Sequence, residues 1–470
     1  MLKFLKISVF VLLFCCTAKV GTSQMLQWSP ALKISDNFHQ TPIGKIGNNY
    51  YLLSGNAPYH QGVYATSSPS TSVRIGKNKL KIIKFNEALD AFEETYLDFR
   101  NEMDECIATF VANDQIHILY ITNDQILKKR IFDKNMKEVA VHEFSIKEMK
   151  SKLKGQSQSY YFALDKEKKR FVLCISENVD IFDNKLTPLA NLKLPNQNEV
   201  ISAILNQDHL YFVGLEGAKL QVTKATIYLY TISSKELKNN VIDDNTVLHW
   251  NQTLFQDETT GNLHYFSFSG NESNLHRKGF RDGDLANNLH HKIYSSSLVK
   301  GETQSFSLEH YSDPKGKRLG IDNPAIRDIF LTDGVNVFIT PHWKESGSSG
   351  DGDVYVDNYL FKIKDGKLIK EKRIEKLSSG MENWYYLYPT VIIHGKNKHL
   401  LLFQNGVLSY NLKKVIVDND FTTISDEKIN VYKDHDYYLA LDEFLKLDNK
   451  TYLIWGRYKN NTGSVLINMD

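Results

Sequence analysis

Apolar and polar residues alternate in short blocks along the chain, and the clearest example lies between about residues 160 and 194. Four apolar or alternating runs occur there, separated by polar turns: residues 161–164, 171–175, 179–182 and 190–194. Runs of this length and period predict four β-strands in a meander. The second run is apolar at every position, which predicts that both faces of its sheet are covered.

The most recognisable part of this unit, an apolar strand, a tight polar turn and a second apolar strand, occurs eight times in the chain. Asn, Asp and Gly dominate the turns because they tolerate positive φ or bond their own backbone. The turns lie at residues 47–49, 113–115, 165–169, 206–208, 257–262, 332–334, 394–398 and 448–450. Their spacing of about 40 to 75 residues is typical of propellers and solenoids.

Because each repeat accommodates four strands, the chain resembles the β-propellers as an architectural class. The resemblance covers nearly the whole chain, but it includes no Trp-Asp, paired-Gly or Ser-x-Asp signature of a particular family. The predicted fold is therefore all-β, with eight four-stranded blades at about residues 36–100, 101–150, 157–196, 197–244, 245–312, 320–377, 380–428 and 430–470. Seven blades is the alternative, since the first repeat is loosely patterned over residues 57–79.

The eighth repeat is one strand short, and residues 26–35 precede the first blade without a sheet of their own. We expect this N-terminal segment to supply the outer strand of the last blade, because ring closure removes an open sheet edge. Residues 24–470 are accordingly predicted to form one propeller domain, and we expect a monomer.

The first residues have the features of a processing signal. Lys3 and Lys6 precede an apolar run at residues 7–16, which is too short to span a bilayer comfortably. We interpret residues 1–23 as a signal peptide. This predicts a secreted protein, extracellular or periplasmic, whose mature chain has no transmembrane segment.

The cysteines leave one alternative for the location. Cys15 or Cys16 could carry a lipid, which would make the protein a membrane-anchored lipoprotein. The other two, Cys106 and Cys174, lie in predicted strands of different blades. We interpret them as buried free thiols, since a chain of this length does not need disulfides.

The charge of the chain argues against one class of partner. Lys and Arg total 57 and Asp and Glu total 55, a net charge of +2. Proteins that bind a phosphate backbone carry a basic excess, so we do not expect a nucleic acid partner. The expected partner is therefore a glycan or a protein ligand.

The predicted loops differ between the two faces of the ring. In an antiparallel four-stranded blade, the connection from the second to the third strand and the link to the next blade emerge on one face. The long loops fall on that face, which we call the long-loop face, and they cover residues 55–78, 216–223, 270–288, 311–323 and 343–357. Long loops on a rigid scaffold are common ligand-binding positions.

The inner strands should begin at the same face, around the mouth of the central channel. The residues near those starts are rich in aromatic rings and carboxylates, which suit a sugar that stacks on a ring and hydrogen-bonds at its edge. The predicted ligand-binding residues are Trp250, Arg327, Asp328, Glu382, Trp384, Tyr385 and Asp436.

Two functions are compatible with such a mouth. The first is a binding or interaction module whose ligand is a carbohydrate or a protein. The second is a carbohydrate-active enzyme, a glycoside hydrolase or lyase, that uses two carboxylates of the central funnel as acid and base. No catalytic residue can be assigned from the sequence.

One loop offers a weak metal signal. Asp351, Asp353 and Asp357 have calcium-like spacing between glycines, although the Glu that completes an EF-hand loop is missing. We therefore predict no cofactor, with Ca²⁺ as the single ion that the sequence suggests.

Overall fold

The computed structural model describes most of the chain between residues 25 and 469. The described residues are 25–33, 39–56, 76–99, 103–146, 160–175, 177–194, 199–216, 224–242, 250–270, 285–311, 319–322, 324–341, 353–355, 357–379, 390–404, 406–407, 411–448, 450–458 and 461–469. The predicted signal peptide and the lipid-anchor candidates Cys15 and Cys16 lie outside these ranges.

Strands make up almost all of the regular structure in these ranges. The first nineteen are β1 (Leu26–Trp28), β2 (Leu32–Lys33), β3 (His39–Ile46), β4 (Asn49–Asn56), β5 (Gly76–Phe85), β6 (Phe92–Leu97), β7 (Met103–Ala112), β8 (Gln115–Thr122), β9 (Ile126–Phe132), β10 (Glu138–Ser145), β11 (Tyr160–Leu164), β12 (Arg170–Ile175), β13 (Asn178–Asp183), β14 (Pro188–Lys193), β15 (Glu199–Leu205), β16 (His209–Glu216), β17 (Lys224–Thr231), β18 (Glu236–Val241) and β19 (Trp250–Gln256).

The remaining elements include one short helix. They are β20 (Leu263–Ser269), β21 (Leu285–Ala286), β22 (Asn288–Tyr294), β23 (Lys300–Ser307), β24 (Ile321–Asp322), β25 (Pro324–Thr332), β26 (Gly334–Pro341), β27 (Asp353–Tyr355), β28 (Asn358–Lys364), β29 (Lys367–Ile374), β30 (Leu377–Ser379), β31 (Thr390–His394), β32 (Lys398–Gln404), β33 (Gly406–Val407), β34 (Leu412–Asp418), β35 (Thr423–Ile429), α1 (Val431–His435), β36 (Tyr438–Lys446), β37 (Thr451–Tyr458) and β38 (Asn461–Asn468). No helix in the described ranges is long and apolar enough to cross a membrane.

Eight of the sheets are antiparallel blades with four strands in meander order. They are β3–β6, β7–β10, β11–β14, β15–β18, β19 with β20, β22 and β23, β25 with β26, β28 and β29, β31 with β32, β34 and β35, and finally β36–β38 with β1. The first strands of neighbouring blades contact one another around the ring, and β36 of the last blade contacts β3 of the first. Between β25 and β31 the contact is the hydrogen bond of His394 to Asp328. The predicted eight-bladed propeller is confirmed, including a complete first blade.

The buried hydrophobic residues form eight clusters, and each cluster lies between two adjacent blades. In the third blade, for example, Phe171 and Leu173 pack toward the second blade, whereas Val172 and Cys174 pack toward the fourth. Alternate side chains of a strand point to opposite faces, so a strand between two such clusters has to be apolar at every position. Cys106 and Cys174 belong to different clusters, and both are buried and free.

The N-terminal segment completes the last blade, as predicted. Strand β1 pairs with β38 from Leu26↔Ile467 to Trp28↔Val465, and β2 continues along the same strand with Leu32↔Thr462. Between β1 and β2, Ser29 donates its backbone N–H to the carbonyl of Ser464 (2.9 Å), and its Oγ accepts from the Ser464 N–H (2.9 Å). The outermost edge of the last blade is therefore formed by the other end of the chain.

Tyr437 fixes this closure from the inner side of the blade. Its buried ring lies against Gly456 and Gly463, which are opposite each other on β37 and β38. A Cβ atom on Gly463 would overlap the Tyr437 ring. The Tyr437 hydroxyl donates to the carbonyls of Ser464 (2.9 Å) and Ser29 (3.2 Å), so one side chain holds both chain ends.

The connections between the third and fourth strands, which we call outer turns, share an unexpected feature. In five blades an apolar residue of this turn adopts the left-handed conformation and is buried: Leu89, Met136, Leu186, Leu298 and Phe421, with φ between 60° and 63°. The left-handed conformation costs a residue with a Cβ atom roughly 1–2 kcal/mol. Truncating a well-packed side chain of this size costs about 2–5 kcal/mol, so packing outweighs the backbone strain.

A polar side chain at the start of these turns accepts hydrogen bonds from backbone N–H groups of the same turn. In the second blade, Asp133 Oδ1 accepts from the N–H groups of Asn135 and Lys137 at 2.8 and 2.9 Å. Asp183 and Asp418 accept in the same way in the third and seventh blades. The sequence pattern of the turn is therefore a polar acceptor followed three residues later by an apolar residue.

The second residue of an outer turn also bonds to the preceding blade. Its carbonyl accepts from a side chain of that blade, which ties neighbouring sheets together near the rim of the ring. The four such pairs are Tyr51 Oη to Lys134 O at 2.7 Å, Lys129 Nζ to Asn184 O at 2.7 Å, Tyr211 Oη to Ser296 O at 3.0 Å and Lys362 Nζ to Asn419 O at 3.2 Å.

We expect Leu186→Gly to destabilise the protein, although glycine is the residue best suited to a positive φ. Loss of the buried side chain should exceed the relief of strain by about 2 kcal/mol, measured as the free energy of unfolding in urea. Lys235→Gly is the matched control, because Lys235 has φ 58° but is exposed. That variant should change the free energy by less than about 0.5 kcal/mol, and equal effects of the two substitutions would contradict the explanation.

We also expect deletion of residues 26–35 to expose β38 as an apolar edge, which favours association between chains. The truncated protein should elute as soluble aggregates in size-exclusion chromatography and lose roughly 3 kcal/mol or more of stability. Gln27→Ala, which changes an exposed side chain of β1 and keeps its backbone pairing, should behave like the parent. A monomeric truncation with an unchanged melting temperature would disprove the role of this segment.

Candidate functional site

The two faces of the ring differ in the length of their connections, as the sequence predicts. On the long-loop face, β4 and β5 are separated by residues 57–75, β16 and β17 by 217–223, and β26 and β28 by 342–357. On the opposite face, the first and second strands are joined by short turns such as Gly47–Asn48 and Asn113–Asp114. Not every connection on the long-loop face is long, since the second and third strands are joined by short turns in the second, third and eighth blades. The long connections of this face therefore belong to the first blade and to the fourth to seventh blades.

Two small sheets outside the blades order part of the long-loop face. Strand β21, from the second-to-third connection of the fifth blade, pairs with β24 in the link between the fifth and sixth blades. Strand β30, in the link from the sixth to the seventh blade, pairs with β27 on one side and runs parallel to β33 on the other. Loops of three consecutive blades are thus held by backbone hydrogen bonds, an arrangement that the sequence patterns did not reveal.

The link into the last blade carries the helix α1 and brings aromatic rings to the long-loop face. Tyr432 is 39% exposed, and its ring stacks on that of Tyr438 with centroids 5.1 Å apart. On the same link, His435 stacks on Trp28 of β1 at 4.4 Å. The helix is stabilised at its start by Asn430, whose side chain accepts from the Lys433 N–H at 3.1 Å.

Asp436, one of the predicted ligand-binding residues, ends this helix. Its left-handed backbone, with φ 60°, lets its N–H donate to the carbonyl of Tyr432 at 2.9 Å. Asn461 Nδ2 donates to the Asp436 carbonyl at 3.2 Å. The carboxylates of Asp436 and of Asp434 are both exposed, so the link that carries the stacked tyrosines also carries two acidic groups.

Arg327 and Asp328 lie deeper in the ring than the sequence suggests. They are the fourth and fifth residues of β25 rather than its first, and Arg327 is an extra residue in the pairing with β26. Such a bulge re-aims side chains. Arg327 Nε donates to Thr340 Oγ1 at 3.0 Å, whereas Asp328 accepts from His394 Nε2 of the next inner strand at 2.8 Å.

The other predicted ligand-binding residues are placed only in part. Glu382, Trp384 and Tyr385 lie outside the described residues, and the seventh inner strand, which we expected at Trp384, is described from Thr390 onward. Trp250 is the first residue of β19, as expected for the channel mouth, but only its backbone is described. These three side-chain positions and that of Trp250 therefore stay predictions.

One of the three residues suggested as calcium ligands, Asp357, has a different role in the structure. Asp357 Oδ2 accepts from Arg373 Nε at 2.6 Å, and its Oδ1 accepts from the Lys376 N–H at 3.1 Å. Asp353 is described only through its backbone in β27, and Asp351 lies outside the described residues. In the ranges that the structure covers, no three His, Cys, Asp or Glu side chains are grouped to hold a metal ion.

Several histidines are buried within the blades. His264 Nδ1 and His291 Nε2 are 2.9 Å apart, and His394 Nδ1 and His399 Nδ1 are 3.2 Å apart. Burial lowers the pKa of His291 and of His399 to about 4, with a further contribution from the neighbouring histidine in each pair. Burial and then the charge of Lys129 lower the pKa of His117 to about 4. These three side chains are therefore neutral near pH 7.

Comparison with known proteins yields similarity of fold alone. The sequence matches no protein-family model and no curated protein. Similar solved structures include the WD40 domain of SCAP from fission yeast (8% identity, TM-score 0.41, 96% of this chain and 99% of that one), the Dos1 propeller (8%, 0.43, 94% and 94%) and the Neurospora crassa Pan2 WD40 domain (9%, 0.39, 77% and 90%). Likenesses this distant carry no argument about function. The class of the protein follows from its own sheets, and it is an eight-bladed β-propeller.

We expect stability to fall as the pH is lowered from 6.5 to 4. In that window the unfolded histidines bind protons, whereas His117, His291 and His399 in the folded state do not, so each contributes a loss of about 1–3 kcal/mol. Burial raises the pKa of Asp180 to about 6. Its protonation therefore stabilises the folded state on acidification and offsets part of the loss from one histidine. Urea unfolding at pH 7, 6 and 5 measures the effect.

His117→Gln provides the control for this expectation. Glutamine can still donate to the Ala112 carbonyl, which His117 Nε2 contacts at 3.1 Å, but it does not titrate. The variant should lose stability on acidification with a slope that is shallower by up to one proton. An unchanged slope would contradict the assignment of His117 as a neutral buried group.

Proposed function

We propose that the protein is a binding module that takes a carbohydrate ligand on its long-loop face, near the mouth of the central channel. The N-terminal sequence supports an exported protein, extracellular or periplasmic. We take a monomeric ring as the working unit. β-Propellers typically serve as binding or interaction modules, although the fold by itself does not determine a ligand. The choice of ligand therefore depends on the chemistry of the face.

The observation that carries the proposal is the surface at α1. The exposed Tyr432 ring stacks on Tyr438, and Asp434 and Asp436 of the same link have exposed carboxylates. A sugar presents an apolar ring face and a rim of hydroxyl groups, so it can stack on such a ring and donate hydrogen bonds to carboxylates. This combination supports a carbohydrate over a purely apolar ligand.

The small sheets of the long-loop face support binding in a second way. Backbone pairing of β27, β30 and β33 fixes loops from two blades and the link between them. A surface that is ordered before the ligand arrives loses less conformational entropy on binding. Preorganised loops are consistent with recognition as the role of this face.

A glycan array with the chain from residue 24 to 470 tests the proposal. We expect binding that Tyr432→Ala reduces at least tenfold, because the substitution removes the stacking surface. Val299→Ala is the control, since Val299 is 66% exposed but belongs to the outer turn of the fifth blade on the opposite face. Absence of any glycan binding, or equal loss in both variants, would refute the proposal.

Trp384→Ala separates two interpretations of the predicted anchor residue. A surface anchor should lose ligand affinity while the stability changes by only about 0.5 kcal/mol. A core tryptophan should instead cost roughly 3–5 kcal/mol and lower the melting temperature visibly. Melting curves measured beside the array therefore decide between them, and a large stability loss with unchanged binding would remove Trp384 from the site.

A further inference from the structure

A series of polar side chains crosses the junction between the sixth and seventh blades. Asp328, on the inner strand of the sixth blade, contacts His394 Nε2, on the inner strand of the seventh, through Oδ2 at 2.8 Å. The other ring nitrogen of His394, Nδ1, lies 3.2 Å from Nδ1 of His399. His399 is buried in β32 of the same blade, and its ring interacts with the side chain of Asn419, which follows β34.

Two atoms at the far end of this series are unsatisfied. Nε2 of His399 and Oδ1 of Asn419 are both shielded from water, and neither has a hydrogen-bond partner among the residues that the structure describes. A buried donor or acceptor without a partner is unfavourable. The interaction with Asn419 favours a proton on the His399 ring. A proton on His399 Nε2 makes this atom a donor toward Asn419 Oδ1, so it provides a partner for both.

This position of the proton determines the state of His394. Burial, and next the charge of His394, lower the pKa of His399 to about 4, so His399 is neutral near pH 7 and has one ring proton. With that proton on Nε2, Nδ1 of His399 is an acceptor, and His394 Nδ1 has to donate to it. The carboxylate of Asp328 also accepts, so His394 Nε2 has to donate as well. A histidine that donates from both ring nitrogens carries a positive charge.

A neutral pair of histidines would leave a conflict in the interior. With the proton of His399 on Nδ1, His394 accepts there and donates to Asp328 without a charge. Nε2 of His399 is then an acceptor that faces the acceptor Oδ1 of Asn419. Turning the Asn419 amide over moves the conflict, because its Nδ2 donates to the Lys396 carbonyl at 3.4 Å and an oxygen would replace it. A protonated His394 gives each of these polar atoms a partner.

The histidine pair of the fifth blade needs no additional proton. His291 Nδ1 lies 3.2 Å from Gln304 Oε1, and His291 Nε2 lies 2.9 Å from His264 Nδ1. A neutral His291 can therefore donate to Gln304 and accept from a neutral His264. Burial lowers the pKa of His264, which agrees with a neutral ring. This pair is a natural control for the pair at the blade junction.

The surroundings of His394 favour a cation. The titratable and charged groups that face the pair come from five strands or the turns beside them, and they are Asp328, His399, Lys362, Asp418 and Tyr452. Asp328 is in direct contact, and the ring of Phe330 lies 3.9 Å from that of His394. An opposite charge and an aromatic ring both stabilise a cation. The side chains of His394 and Asp328 are 24% and 38% exposed, so the proton can exchange with solvent.

We propose that His394 is a proton-binding site that joins the sixth and seventh blades, with Asp328 and His399 as its two acceptors. The hydrogen bond to Asp328 is the contact between the inner strands β25 and β31, so release of the proton weakens this junction. Unfolded histidines have a pKa of about 6.5, and the folded chain keeps the proton at a pH at which the unfolded chain has lost it. The stability contributed by the proton is therefore complete below about pH 6.5 and is lost as the pH rises further.

Exchange of the histidine C2 hydrogen with deuterium tests the inference on the chain from residue 24 to 470, because the exchange rate follows the protonation of each ring. Mass spectrometry of the peptides gives the rate at each histidine between pH 5 and 9. We expect His394 to be largely protonated at pH 7 and His264 to be largely neutral. Asn419→Leu removes the acceptor for His399 Nε2 and should shift His394 toward the neutral form. A neutral His394 in the parent, or an unchanged His394 in Asn419→Leu, would overturn the inference.

Urea unfolding between pH 7 and 9 gives a second readout. Relative to His394→Gln, which can still donate to Asp328 but does not titrate, the folding equilibrium constant of the parent should fall by up to tenfold per pH unit. His264→Gln is the matched control and should follow the parent closely, because His264 is largely neutral in both states in this window. Parallel curves for the parent and His394→Gln would overturn the inference. The exchange measurement on the parent needs no variant, so it decides the question even if His394→Gln fails to fold.

Discussion

The pairing of β38 with β1 and β2 is the constraint on which the rest of the ring depends. Each hydrophobic cluster needs two sheets, so every blade is stable only when it has a neighbour on both sides. Ser464 and Ser29 are 435 residues apart in the chain and exchange two hydrogen bonds. The entropy of closing so long a loop grows only with the logarithm of its length, and burial along two blade interfaces can offset it.

The same constraint explains why polar side chains inside the ring are so selectively placed. Lysines and tyrosines that leave the hydrophobic clusters end on carbonyls of the next blade, as Lys129 and Tyr51 do. A buried ammonium group without an acceptor would be strongly unfavourable. These contacts fix the position of each sheet relative to the next, which apolar packing alone does not specify.

Much of this architecture could be predicted from the sequence because it depends on short-range patterns. The doubly apolar strand at residues 171–175, the Asn and Asp turns and the missing strand of the last repeat led to eight blades and to closure by the N-terminus. The site was less predictable. The bulge at Arg327 shifts the register of β25 against β26 by one residue. This shift depends on how the two strands pair, and the local sequence pattern does not predict it.

The helix α1 and the small sheets were also missed, for related physical reasons. A five-residue helix has too few positions for a 3.6-residue period to be visible, although Asn430 ahead of it is a capping signal. Strands of two or three residues, such as β21 and β33, carry no alternation at all. Lys376 is buried because neighbouring elements cover it, and the residues next to it in the sequence do not indicate this. Its burial therefore becomes apparent only in three dimensions.

The outer turns have a consequence for how this protein can change over evolutionary time. Their length is fixed on both sides, by an acceptor side chain within the turn and by a donor that arrives from the preceding blade. An inserted residue would displace a buried side chain and break both contacts at once. On the other face, the connections between β4 and β5 and between β26 and β28 are already long. Insertions and deletions should therefore accumulate on one side of the ring, so that specificity can diverge while the scaffold stays constant.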